Sequence, residues 1–95
     1  MKQAIIYARA RNSNTLKDQI TICKLFATRN GFQIIRVICQ TGSFPSVRKL
    51  TRIPIDNIII ASPSVLGSPA YFLLRRTKFN LEGKRIIVAT KEDQQ

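Results

Sequence analysis

Four short apolar runs punctuate the chain, at residues 4–7, 34–39, 58–61 and 86–89, each rich in β-branched side chains. Runs of this length without polar alternation predict buried strands. Between the first two, Leu16, Ile20, Cys23 and Ala27 recur at helical spacing. The polar segment NSNT precedes them and RNG at 29–31 follows, so a helix over residues 15–30 is expected, with a cap at one end and a stop at the other. Between the third and fourth strands, Ser68 and Pro69 form an N-cap and N1 pair. Ala70, Leu73, Leu74, Thr77 and Leu81 then share one face, and Gly83 ends the helix. The middle segment TGSFPSVRKLTRIP predicts only one or two helical turns over residues 46–51, because Pro54 prevents a longer helix.

Strands alternating with helices imply an α/β fold: a four-stranded, mainly parallel sheet flanked by helices, with the ligand site at the carboxyl ends of the strands. That rim would collect Arg9 and Arg11 after the first strand, residues 41–43 after the second and residues 62–68 after the third. At 95 residues the chain is sized for a single domain spanning residues 1–95.

Charge sharpens the picture. Sixteen Lys plus Arg against five Asp plus Glu leave a net +11, a field that favours polyanions and makes nucleic acid the first partner to test. Arg75, Arg76 and Lys78 cluster on the last helix with Lys84 and Arg85 close behind, and Arg48, Lys49 and Arg52 form a second group. Each cluster could track a phosphate backbone, and each is equally expected of a solvated helix face. Tyr71 and Phe72 could stack on bases, although at least one of them should be core.

The chain contains no histidine, which removes the commonest general base and the commonest zinc ligand. No metal or cofactor is expected, and neither a P-loop nor a Gly-rich nucleotide fingerprint occurs. Cys23 and Cys39 read as free thiols used as small apolar groups. The apolar runs are too short to cross a bilayer and no signal peptide opens the chain, so a cytoplasmic location is the default expectation.

Several segments together resemble the catalytic domain of the serine site-specific recombinases, the resolvases and invertases. Tyr7-Ala8-Arg9 resembles the start of that family's Tyr-x-Arg-x-Ser motif, and TLKDQ at 15–19 its Ser-Leu-x-x-Gln helix opening. ATRNGFQIIRV at 27–37 and NLEGKRIIVAT at 80–90 share the family's look. The resemblance implies a flavodoxin-like (resolvase-like) fold and, in active members, a serine that attacks a DNA phosphodiester while arginines balance the phosphate charge.

On that resemblance Arg9 occupies the first active-site arginine position and Gln19 the helix glutamine. The nucleophile position, four residues beyond Tyr7, holds Arg11. Ser13 lies two residues farther on, where an exposed serine near the helix cap is the simpler reading and a relocated nucleophile the sharper one. In IIIASPSVLGSPAY, Ser64 stands in place of the family's aspartate, with Val65 and Ser68 in place of its two arginines. Gln40 or Thr41 replaces an acidic residue after the second strand. Mutually dependent catalytic groups lost together predict no strand cleavage.

The family's long dimerisation helix and separate DNA-binding domain are also expected to be absent. Three readings follow. The first is a catalytically degenerate recombinase-type domain of a mobile-element or phage-like setting, binding DNA weakly through Arg9, Arg11, Arg48, Lys49, Arg75 and Arg76, as a homodimer or paired with a related recombinase. The second is a nicking enzyme using Ser13, with Arg9 and Arg11 as phosphate clamp. The third is a protein-interaction module using the apolar face of its last helix.

Overall fold

A computed structural model describes residues 2–41 and 47–90, apart from the side chains of Val47 and Arg48. Strands β1 (Lys2–Arg9), β2 (Phe32–Gln40), β3 (Asn57–Ile60) and β4 (Arg85–Val88) correspond to the four apolar runs. They form one sheet in the order β2-β1-β3-β4, every pairing parallel. Helix α1 (Ser13–Arg29) connects β1 to β2, the short α2 (Val47–Thr51) precedes β3, and α3 (Pro69–Leu81) connects β3 to β4. One element is new relative to the sequence pattern: a 3-10 helix, Pro63–Leu66, directly after β3.

The central strands β1 and β3 are buried on both faces because helices cover both. Ala4 and Ile6 of β1 pack with Ile59, Ala61 and the α1 residues Cys23 and Ala27. The alternate residues Ile5 and Tyr7 pack on the opposite face with Ile58, Ile60, Leu50 of α2, Val65 and Leu66 of the 3-10 helix, and Phe79 of α3. This two-sided burial explains the unbroken apolar runs in the sequence. Edge strand β2 alternates more, and a register shift opposite Ala4/Ile5 leaves Ile35 as an extra, exposed residue. Such a bulge twists an open edge and makes it a poorer template for further strands.

Helix α1 begins at Ser13, about half a turn earlier than the periodicity suggests. Asn12, the first residue of NSNT, is its N-cap, and its Oδ1 accepts from the Thr15 backbone N–H at 2.8 Å. Its exit matches the stop signal: Asn30 is the C-cap and Gly31 adopts φ 73°, a left-handed conformation that glycine takes without strain. Helix α3 starts at Pro69 behind Ser68, as the sequence suggests, but the Ser68 hydroxyl makes no capping hydrogen bond.

The face of α3 corrects a sequence expectation. Ala70, Leu73, Leu74, Thr77 and Leu81 do share one side, and that side is exposed. Phe79 and, half-buried, Phe72 face the core instead. Two phenyl rings remove more apolar area from water than the smaller residues of the rival face, and they fix the rotation of the helix.

The cysteines diverge as well. Cys23 is a small buried group, as expected, whereas Cys39 is exposed on β2 and does not serve as a core residue. Burial pushes the Cys23 thiol from its ordinary value of 9.0 up to about 12. A thiol reagent at pH 8 is therefore expected to modify one cysteine of the native chain, Cys39, and both after denaturation. Because the folded state holds the Cys23 proton more tightly than the unfolded chain, its contribution to stability is complete below pH 9.0 and declines up to about 12. Cys23→Ala should flatten that alkaline decline in pH-dependent urea melts.

Candidate functional site

The strand order places a topological switch point between β1 and β3, since β1 crosses over toward one edge of the sheet and β3 toward the other. Ligands of open α/β sheets bind in the crevice outside the strand ends at such a point. Here that crevice is occupied by Arg9, the last residue of β1. Its position in the β1 alternation puts it on the side of Tyr7, facing the 3-10 helix.

Arg9 is tied down from two directions. Its guanidinium Nε donates to the Val65 carbonyl at 2.8 Å and its Nη2 to the Ser64 carbonyl at 3.3 Å. Its main chain is held by Gln19 of α1: the Arg9 N–H donates to Gln19 Oε1 at 3.0 Å, and Gln19 Nε2 donates to the Arg9 carbonyl at 3.0 Å. One glutamine side chain thus satisfies the donor and acceptor of a residue that lies beyond the last β1–β3 pair, Ile6 with Ile59, a place where backbone groups otherwise need water. The two residues singled out by the recombinase resemblance are brought together, as a brace of strand end, helix and loop.

A second arginine supports the same loop. Arg75 of α3 donates from Nη1 to the Leu66 carbonyl, and its guanidinium lies 4.9 Å from the centre of the Tyr71 ring. Successive carbonyls of Ser64, Val65 and Leu66 are therefore held by two guanidinium groups. The approach is close because residue 67 is glycine. Its φ is 121°, and an added Cβ would lie 2.7 Å from Arg75 Nη1.

The other predicted residues are more dispersed. Arg11 is exposed beyond the end of β1, and Ser13 is exposed as the first residue of α1. The first turn of α1 carries no acidic side chain, so its positive helix end adds to the field of Arg11. Lys49 is exposed and lines a hollow of about 190 Å³ with Tyr7, Ile38, Cys39, Gln40 and Leu50. There the buried Tyr7 hydroxyl donates to Gln40 Oε1 at 2.7 Å, a pairing that sequence reasoning did not identify. Arg76 is exposed on α3, unlike the half-buried Arg75. The side chain of Arg48 and residues 42–43 of the expected rim lie outside the described residues.

The loop that Arg9 holds carries the hydroxyls of Ser62 and Ser64, whose Oγ atoms lie 2.8 Å apart. They pair with each other, an arrangement that activates neither, since a nucleophilic hydroxyl needs a base within reach. Of the described carboxylates, Asp56 precedes β3 at the opposite rim, Glu82 caps the end of α3 and Asp18 is exposed on α1. The geometry can present positive charge to an anion at the carboxyl rim. It provides no hydroxyl-base pair there among the described residues.

The architecture is the expected α/β domain, a four-stranded sheet flanked by helices, here parallel throughout. Solved structures agree. The C-terminal catalytic domain of ISC1926 TnpA, an IS607-like serine recombinase, superposes with a TM-score of 0.76 at 23% identity, covering 96% of this chain and 69% of that one. The N-terminal catalytic domain of TP901-1 integrase gives 0.75 at 16% identity over 93% of this chain and 77% of that one. A serine recombinase from Sulfolobus solfataricus gives 0.66 at 20% identity, covering 98% and 71% respectively. The chain therefore has the fold of serine recombinase catalytic domains. No protein-family model matches the sequence, and no curated protein matches it by sequence.

Proposed function

We propose that this chain is a degenerate serine-recombinase-type domain that binds duplex DNA weakly and does not cut it. The observation that carries the reading is the state of Arg9: its Nε and Nη2 are engaged by the carbonyls of Val65 and Ser64. In a phosphodiester-cleaving cradle such donors would face the phosphate, beside an activated hydroxyl. Here the hydroxyls of that loop pair with one another, and the position expected for the nucleophile is Arg11. Fold neighbours from transposon-type recombinases fit a mobile-element origin, and a cytoplasmic site of action beside DNA follows from that reading.

The net +11 supplies the affinity, with Arg11 and Lys49 as exposed contacts at the carboxyl rim and Arg76 on α3. Arg75 is a poorer candidate than its neighbour because it is half-buried against Leu66 and Tyr71. Pairing with a related recombinase would add the sequence specificity that phosphate contacts lack.

The test is anisotropy of a labelled duplex at increasing salt. With about four phosphate contacts, affinity should fall roughly 100-fold between 50 and 200 mM salt, and Arg11→Ala should lower the log–log slope by about one. Incubation with nicked suicide duplexes should yield no covalent adduct. An adduct that disappears in Ser13→Ala would instead establish the nicking enzyme, and indifference to DNA at low salt would discard the binding role.

A further inference from the structure

Helix α3 exposes a row of residues that neither the core nor the rim uses. Ala70, Leu74, Thr77 and Leu81 recur at alternating steps of four and three residues, the spacing of a seam that packs against another helix. They lie opposite the buried Phe79, with Leu74 66% and Leu81 82% exposed, and Leu73 beside them is 60% exposed. A single exposed leucine is ordinary, but three on one short helix form a contiguous apolar surface of the kind that marks a docking site. At its amino end the row runs into an apolar groove of about 500 Å³ bordered by Pro63, Pro69, Phe72 and Leu73. A row of small and aliphatic residues leading to a groove that can take one larger side chain is the form of a helix-recognition surface.

Charge selects the occupant. Helix α3 carries Arg75, Arg76 and Lys78 and no carboxylate, within a chain of net +11. On the helical wheel Lys78 flanks the row directly, while Arg76 lies beyond Leu73 and Asn80, toward the side of Phe72 and Phe79. A second copy would set Lys78 and a net +11 against their own equivalents, while a two-heptad seam of about 20 Å offers little area to offset the repulsion. Carboxylates beside the seam would turn the same charge into attraction.

We propose that this face of α3 is the docking surface for an acidic amphipathic helix of a partner protein, with leucine-type residues at heptad spacing flanked by Glu or Asp. The partner's apolar residues lie along Ala70, Leu74, Thr77 and Leu81, one larger side chain enters the groove at Pro63 and Phe72, and a carboxylate meets Lys78. This surface is independent of Arg11 and the amino end of α1, so it stands or falls separately from DNA binding.

The probe is a labelled synthetic helical peptide with leucines at heptad positions and glutamates alongside, titrated against the full chain. It should bind at least about tenfold more tightly than a scrambled peptide of equal composition and than the same peptide with lysines for glutamates. The Leu74→Ser/Leu81→Ser double variant should lose about tenfold in affinity while keeping its thermal melt and its DNA affinity, because both leucines are exposed. Equal binding of the scrambled or lysine peptide would overturn the proposal, as would an unaffected double variant or no binding of the acidic peptide. Sedimentation showing a concentration-dependent dimer that the double variant abolishes would identify the occupant as a second copy, and so would also overturn it.

Discussion

Lys84→Ala is expected to lower the unfolding free energy by about 3 kcal/mol, measured by urea denaturation. Lys84 is 7% exposed, yet the sequence presents it as one member of a basic pair that follows Gly83. Its ammonium donates to the Ile53 carbonyl and, at 3.1 Å, to the Ile55 carbonyl, and it stands 3.8 Å from Asp56 Oδ1. The two carbonyls belong to the segment that leads into β3, while the Lys84 backbone N–H is held by the Phe79 carbonyl at the end of α3 at 2.8 Å. One side chain thereby fastens the entry of a central strand to the exit of the helix that covers it. Removing it leaves two carbonyls without their cation and vacates the volume of the side-chain stem. The ion pair itself is a minor part, since the Asp56 side chain is 79% exposed and screened by solvent. Asp56→Asn should accordingly cost less than about 1 kcal/mol. Equal losses for the two substitutions would show that the ion pair, and not the carbonyl bonds, carries the stability.

The strands were legible because β1 and β3 are covered on both faces, and a strand so placed must be apolar throughout. The ends of α1 were legible because Asn12 and Gly31 do local work that only a few residue types can do. The orientation of α3 was not. Helical spacing shows which residues share a face, but which face is buried depends on the volume offered by its surroundings, and the space beside Ile58, Val65 and Leu66 accepts Phe79. The rim divides in the same way. Motif resemblance located Arg9 and Gln19, and the structure brings them together, but their hydrogen bonds depend on distant partners. Val65 lies 56 residues beyond Arg9 in sequence, so no local pattern could show that an arginine assigned to phosphate holds a loop carbonyl. The buried roles of Lys84 and Arg75 were hidden for the same reason, because charge predicts exposure until a set of carbonyls converges on it.

Arg9→Met is expected to destabilise the fold by about 2 kcal/mol, against the trend for removing a cation from a strongly basic chain. Relief of repulsion in a protein of net +11 would by itself favour the neutral side chain. Residues retained for binding typically cost stability, and replacing them is neutral or stabilising. A brace behaves in the opposite way, because the carbonyls of Val65 and Ser64 lose charge-assisted donors when the guanidinium is removed. Arg9→Lys separates the two roles. Lysine keeps the charge but lacks the planar fork that reaches adjacent carbonyls, so it should preserve DNA affinity within about twofold while recovering less than half of the lost stability. Gln19→Ala should cost about 1 kcal/mol by releasing the Arg9 main chain, and combining it with Arg9→Met should cost less than the separate losses added together. A methionine variant as stable as the parent, with DNA affinity reduced tenfold or more, would return Arg9 to the binding surface and reopen the case for an intact phosphate cradle.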